Sequence, residues 1–343
     1  MNVPSLECCV WELTLRCNLR CLHCGATAGH TRSDELTTAE ALRVAGELVA
    51  LPAGEVTLMG GELFLRPDWL AVAGRLREGG VQVVVFTNGT LLTSERIAQL
   101  RALEPRTIGT SLDGGHAAVH DEIRGVSGAF EKTLVAIEDL QSAGLCVAVI
   151  TTLTRRNLYE LPAIARLLTG RDIRWQIQAA GAGGERLDRT DLLTPLEFYF
   201  AALFIARMRT TYPWPVLPVI GAHDFGYCST RLPSLSMPGQ AWAGCGAGRN
   251  TLGIQSDGGV KGCLSLPGTF VAGNLRECRL AELWEGDTFA SYRRPATRHG
   301  FCAECRHGDE CEGGCTELSV TYSGRRGDNP MCFYRIEREW AKV

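Results

Sequence analysis

Cys17, Cys21 and Cys24 stand in the order C-x3-C-x2-C, within the run Cys17-Asn18-Leu19-Arg20-Cys21-Leu22-His23-Cys24. Three thiolates on one tight loop can bind three irons of a [4Fe–4S] cluster and leave the fourth iron open to another ligand. Zinc in a structural site normally takes four protein ligands, and no fourth cysteine lies close by in the sequence. A zinc site or three reduced thiols would nevertheless use the same residue types. A second array lies toward the far end of the chain. Cys245 is followed after twelve residues by Gly258 and after four more by Cys263. Then come Cys302-x2-Cys305-x5-Cys311-x3-Cys315 and a single Cys332. Seven thiols exceed the needs of one ion and suit two further [4Fe–4S] clusters, with a pair of zinc sites as the chemical alternative.

Short polar motifs lie between the two arrays. Gly60-Gly61-Glu62 offers backbone that a ligand can approach closely and a carboxylate that can accept a hydrogen bond from an ammonium. Thr87-Asn88-Gly89 and Ser111-Leu112-Asp113-Gly114 are, taken singly, ordinary turn chemistry. The run His120-Asp121-Glu122-Ile123-Arg124-Gly125 supplies a cation, Arg124, suited to a ligand carboxylate or to a surface ion pair.

The elements that must position these groups alternate along the first two-thirds of the chain. Apolar strand patterns cover 8–15, 55–59, 81–86, 107–112, 146–153 and 173–178. Helical periodicity covers about 39–51, 69–78, 95–103, 130–143, 158–168 and 195–209, the first opened by a capping box from Thr37 to Glu40. About six β–α units predict an α/β fold with a parallel sheet, best read as a partial (β/α)6 TIM-like barrel, with an open doubly wound sheet as runner-up. The cysteine triplet and the three motifs after it follow consecutive strands. In such a barrel that places them on the rim that carries the active site. From Tyr212 the prolines and glycines multiply, helical periodicity fades and the cysteines cluster. The expected division is a core at 1–211, a linker at 212–240 and a small loop-rich iron–sulfur domain at 241–343.

Composition sets outer bounds. The 343 residues include 15 cysteines, and 35 basic against 38 acidic residues leave a net charge of −3. That balance argues against a broad basic face for nucleic acid and against a polybasic membrane anchor. The segment Met1–Glu7 lacks the pattern of a secretory signal, and no apolar stretch reaches the ~20 residues of a membrane-spanning helix. A cytoplasmic, reducing compartment is the expectation, and there spaced cysteines are metal ligands more often than disulfides. A chain this long does not need covalent staples to fold.

Together these motifs resemble the radical S-adenosylmethionine (SAM) enzymes. The second array resembles, element by element, the seven-cysteine pattern of the SPASM domain carried by members that modify peptides and proteins. The resemblance implies that Cys17, Cys21 and Cys24 bind the cluster that holds SAM, with His23 in the aromatic position before the third cysteine. Gly60, Gly61 and Glu62 would hold the methionine amino group, although Leu63 stands where the family often has proline. Asn88, Ser111 and Asp113 would contact ribose and methionine, and Arg124 the methionine carboxylate. Cys302, Cys305, Cys311 and Cys332 would bind an outer auxiliary cluster, and Cys245, Cys263 and Cys315 an inner one. The eighth ligand position is open, or filled by Cys228 or Cys278. Cys8, Cys9 and Cys146 read as small core residues.

The implied chemistry is one-electron cleavage of SAM to methionine and a 5′-deoxyadenosyl radical, which takes hydrogen from an unactivated C–H bond. The auxiliary clusters would accept the substrate's electron or bind a substrate thiolate. The leading expectation is a maturase of a ribosomally made peptide, forming a C–C or thioether cross-link or a decarboxylated product. A dehydrogenase or epimerase of a small molecule such as a sugar is the second reading, and a non-catalytic iron–sulfur electron-transfer protein the third. Expected partners are a precursor peptide, a separate peptide-recognition protein and an external donor of flavodoxin or ferredoxin type. Cys17 comes too early in this sequence for the recognition domain of roughly 80 residues that many peptide-modifying relatives carry in front. Leu264 replaces the Asp that sulfatase maturases place after the second SPASM cysteine, which argues against that branch. The mycofactocin and pyrroloquinoline-quinone maturase types stay open. Asp257, Glu185 and Asp224 are acidic residues in plausible loops, and no spacing selects one as a base.

Overall fold

Strands that are apolar on both faces need cover on both sides, and β–α alternation supplies it. The computed structural model describes residues 4–181, 183–222, 225, 228–236, 242 and 244–341. The chain begins with β1 (Cys8–Glu12), α1 (Thr38–Ala50), β2 (Glu55–Met59), α2 (Trp69–Glu78), β3 (Gln82–Thr87), α3 (Ser94–Leu103) and β4 (Thr107–Ser111). There follow α4 (Ala117–Arg124), α5 (Ala129–Ser142), β5 (Val147–Leu153), α6 (Leu161–Leu168), β6 (Arg174–Ala179), α7 (Pro195–Thr211) and β7 (Val219–Gly221). The last third adds β8 (Thr251–Ile254), β9 (Gly259–Lys261), β10 (Val271–Asn274), α8 (Leu280–Glu285), α9 (Asp287–Arg293), α10 (Gly308–Cys311), α11 (Thr316–Ser323) and α12 (Phe333–Trp340).

Among the described residues ten strands join one sheet in the order β10-β9-β8-β1-β2-β3-β4-β5-β6-β7. The ladders from β8 to β7 are parallel, with Cys8 opposite Glu55 and Thr251, and Ile108 opposite Val147. β9 and β10 add an antiparallel flap beyond β8. β7 and β8 lie apart in this order and do not pair, so the barrel is partial. The six expected β–α units are present, and two short parallel strands extend them, one at each side.

Local chemistry explains the boundaries. Thr37 accepts from the Glu40 backbone N–H while the Glu40 carboxylate accepts from Thr37 N at 2.7 Å, the expected capping box. Thr194 and Glu197 repeat it at α7, with Pro195 in the first turn. Each such cap contributes about 1 kcal/mol. β1 ends at Glu12 rather than reaching residue 15, because Thr14 and Leu15 turn their donors to the Glu35 carboxylate. α6 starts at Leu161, after a 3-10 turn at Leu158–Glu160. α4, which no sequence periodicity indicated, runs from Ala117 to Arg124. Cys9 and Trp11 point into the core between sheet and helices and are fully buried. Cys8 is half-buried, and Cys146 is exposed just ahead of β5 rather than in the core. Among the described residues no helix is long and apolar enough to cross a membrane.

Candidate functional site

The loop after β1 carries the first three cysteines, and α4 anchors it. Arg20 N donates to the Arg124 carbonyl at 3.1 Å and Leu22 N to the Ile123 carbonyl at 2.8 Å. The loop thus satisfies carbonyls that the end of α4 would otherwise leave unpaired. The loop after β6 covers the other side, where Arg186 donates to the carbonyls of Cys21 and Ala28 at 3.0 and 2.9 Å. Each thiol also receives a donor. Leu19 N reaches Cys17 Sγ at 3.4 Å, Ala28 N reaches Cys24 Sγ at 3.3 Å, and an Arg124 terminal amino group reaches Cys21 Sγ at 3.6 Å. N–H donors aimed at sulfur favour the thiolate form and tune a bound iron–sulfur cluster.

Asp113, just past β4, is the hub of the site. Its buried carboxylate binds Arg124 at 2.6 Å, His23 Nε2 at 2.6 Å and Thr152 N at 2.8 Å. Burial would raise the Asp113 carboxyl, but Arg124 and His23 outweigh it and hold it well below the usual carboxylate range. His120 Nδ1 accepts from Asp113 N at 3.2 Å. Burial and the neighbouring Arg124 lower its pKa to about 4, so it stays neutral at pH 7. Arg124 is buried, so the alternative of a surface ion pair is set aside. One of its amino groups serves Asp113 and the other Cys21, while its buried Nε has no partner. A buried guanidinium N–H without an acceptor is costly unless a ligand supplies one.

The Gly-Gly-Glu turn also has a reason within the chain itself. A Cβ on Gly60 would strike the Thr14 carbonyl, and one on Gly61 the Leu15 and Arg16 carbonyls. The glycines therefore admit this chain's own segment after β1, with Gly61 N and Glu62 N donating to Thr14 and Arg16 at 2.7 and 2.8 Å. Glu62 is buried and accepts from Thr87 Oγ1 at 2.8 Å, Asn88 N at 2.8 Å and Phe64 N at 3.3 Å. Three acceptances leave about one of a carboxylate's four lone-pair sites for an ammonium. Burial pushes the Glu62 carboxyl up. Asn88 donates to Asn18 Oδ1 at 2.9 Å and ties this turn to the cysteine loop. Ser111 is half-buried at the end of β4.

The later cysteines fall into two sets. Cys245 and Cys315 share a side-chain hydrogen bond that favours a thiolate on Cys245 and pushes Cys315 up. Cys263 lies beside Cys245, and burial raises its thiol to about 11. Cys302, Cys305, Cys311 and Cys332 form the other set, with burial pushing Cys311 up to about 12. Cys228 has Cys305 and Cys311 of the outer set among its electrostatic neighbours. Cys278 stands apart from both, its thiol donating to the Asn274 carbonyl at 3.4 Å. Among the described residues no three His, Cys, Asp or Glu donors surround one single-ion point.

Of the acidic loop residues, Glu185 is exposed, Asp257 caps the β8–β9 turn through Gly259 N at 3.0 Å, and Asp224 lies outside the described residues. Sequence spacing missed Glu317, on the first turn of α11. It neighbours Cys263 and Cys315, accepts from Thr321 Oγ1 at 2.8 Å and packs against Gly181 in the loop after β6. A glutamate two residues after a patterned cysteine was the available signal. Cys8, read as core, lies near Cys263, and burial raises it to about 12.

Residues 11–168 match the profile of the radical SAM superfamily, and residues 245–306 match that of the SPASM iron–sulfur cluster-binding domain. The AdoMet-dependent heme synthase of Methanosarcina barkeri is 31% identical over 97% of this chain and 97% of its own. The chain belongs to the radical SAM superfamily. This radical SAM/SPASM chain is also 33% identical to the mycofactocin maturase MftC of Mycolicibacterium smegmatis, over 94% of this chain and 81% of that protein. Its fold matches Streptococcus suis SuiB bound to the precursor peptide SuiA, with a TM-score of 0.76 at 17% identity, covering 96% of this chain and 75% of that one. The cofactors are those of the family: a SAM-binding [4Fe–4S] cluster and auxiliary clusters in the SPASM region. Three N–H-bonded thiols and the unpartnered Arg124 Nε fit that cluster and a SAM carboxylate.

Proposed function

We propose that this radical SAM/SPASM enzyme oxidatively modifies a peptide, forming a C–C or thioether cross-link or a decarboxylated product. When bound, SAM and its reduced cluster supply a carbon-centred oxidant that removes hydrogen from an unactivated C–H bond. Cys17, Cys21 and Cys24 hold the cluster. Arg124 Nε takes the methionine carboxylate, the spare Glu62 lone pair takes the ammonium, and His23, Asn88, Ser111 and Asp113 shape the remaining contacts. The loop after β6 covers the cysteine loop and keeps bulk water from it. Cys245, Cys263 and Cys315 serve one auxiliary cluster, and Cys302, Cys305, Cys311 and Cys332 the other, within a division of the chain at 1–211, 212–240 and 241–343.

The observation that supports an oxidation is the place of the inner trio. Through Glu317 it borders Gly181 on the barrel rim, so an electron acceptor adjoins the mouth where substrate must sit. Glu317 is accordingly a candidate for the unfilled inner position, alongside an open iron. Likeness to MftC supports a peptide substrate. The end-to-end likeness to a heme synthase supports a second reading, in which the substrate is a heme-precursor porphyrin. Anaerobic incubation with SAM and a reductant, followed by mass spectrometry, separates them. A short peptide encoded beside this gene is expected to lose two hydrogens or carbon dioxide. An unchanged peptide together with a mass loss in the porphyrin would overturn the peptide reading.

A further inference from the structure

Arg326 lies between α11 and α12, and its buried Nε has no hydrogen-bond partner. A guanidinium N–H buried without an acceptor is costly, so its presence calls for a reason. The neighbouring carboxylates are engaged with other arginines. Glu312, which lines the same small cavity as Arg326, is paired with Arg249. Asp328, two residues further on, is shared by Arg325 and Arg335. Apart from the Cys245 thiol, the cavity thus holds two guanidinium groups against one carboxylate. Its walls carry a net positive charge.

Three contacts tie Arg326 to the inner thiol trio. The cavity has a volume of about 10 Å³, the space of one water, and both Arg326 and Cys245 line it. Gly327, next to Arg326, packs on the turn that leads into Cys315, where a Cβ on Gly313 would lie 2.5 Å from Gly327 Cα. The Gly327 carbonyl accepts from His299 N at 2.9 Å, which holds this segment in place. Tyr292, whose carbonyl accepts from an Arg326 amino group at 3.5 Å, lays its ring against Gly262, the residue before Cys263. Arg326 is therefore bracketed by the segments that carry Cys245, Cys263 and Cys315. The trio already receives neutral donors: Thr316 and Ala247 bond to Cys245, and Ser265 bonds to Cys263. Arg326 Nε bonds to none of these sulfurs, so its acceptor must come from what they hold.

We propose that Arg326 Nε donates to the iron–sulfur group held by the inner trio, and that its charge raises the reduction potential of that group. This inference rests on reading Cys245, Cys263 and Cys315 as cluster ligands. Reduction adds one electron, and so one negative charge, to the group, while no bond or proton moves. A fixed cation in a buried site stabilises the reduced form more than the oxidised one. Arginine stays protonated, so the effect persists across the working pH range. A group held in this way is suited to the oxidation: the substrate radical loses one electron and the inner group gains one.

The test is a dye-mediated redox titration of the anaerobically reconstituted holoenzyme without substrate, followed by electron paramagnetic resonance. Arg326→Met removes the charge and the Nε donor while keeping a side chain of similar reach. One midpoint should fall by about 59 mV or more, a tenfold loss in the reduction equilibrium, with the others unmoved. The midpoint that moves should be one that added SAM leaves unchanged. Arg326→Lys keeps the charge without Nε, and its midpoint should lie between those of the parent and Arg326→Met. Iron should stay at about twelve per chain in all three proteins. Unmoved midpoints in Arg326→Met would overturn the proposal and leave Nε as the partner of a buried water. So would an equal fall of every midpoint, or the loss of about four irons from both variants, which marks a structural role. Four or fewer irons in the parent would refute the cluster reading itself, and the proposal with it. The identity of the substrate has no bearing on any of these outcomes.

Discussion

Cys21→Ala is expected to abolish SAM cleavage to 5′-deoxyadenosine, and Cys17→Ala and Cys24→Ala are expected to do the same. Each thiol receives its own N–H donor, and three thiolates are needed to hold three irons of the cluster. Cys21→Ala should also destabilise the fold most. Its loss also removes the acceptor for one Arg124 amino group, which would then be buried with both that group and Nε unpaired. The measurement is chromatographic detection of 5′-deoxyadenosine from dithionite-reduced protein. Turnover persisting in all three variants would show that the loop after β1 does not hold the cluster.

Asp113→Ala should have the largest effect on the protein itself. The substitution leaves Arg124 buried and without its anion, removes the partner of His23, and frees Thr152 N. Breaking a buried pair by removing one partner costs about 3–5 kcal/mol. The readout is a lower urea midpoint at an unchanged slope. SAM cleavage should fall about 10–100-fold, as for a residue that orients the groups touching a metal centre. Asp113→Asn keeps the shape and the bond from Thr152 N, and should recover part of the stability while remaining impaired in cleavage. A variant with parental stability and parental cleavage would remove Asp113 from the centre of the site.

Much of this was legible before any coordinates. The β–α alternation shows in the sequence because buried parallel strands are continuous apolar runs and the covering helices are amphipathic, as at Val83–Val85 and Ala41–Leu48. Cysteine spacing was equally readable, since ligands on one loop must be close in sequence. Short edge strands were not. β7 and β8 have three and four residues, too few to establish a period, and only their partners β6 and β1 define them. α4 was hidden because its value lies in its carbonyls, which hold Arg20 and Leu22, rather than in a long apolar stripe. At Gly60 and Gly61 the motif shows in the sequence, while the close approach of the Thr14–Arg16 backbone, which also requires glycine there, does not. The chain carries Cys228 to Tyr334 and the neighbourhood of Cys305, a tertiary contact that no spacing encodes. Glu317 escaped notice for the same reason, because its neighbours Cys263 and Gly181 are remote in sequence.

The central claim is that ten thiols in three sets hold three iron–sulfur clusters. Iron and sulfide analysis of the anaerobically reconstituted chain tests it most directly. The account predicts about twelve irons and about twelve sulfides per chain, falling to about eight of each when Cys17, Cys21 and Cys24 are all replaced by Ala. Four or fewer irons in the parent chain would contradict it.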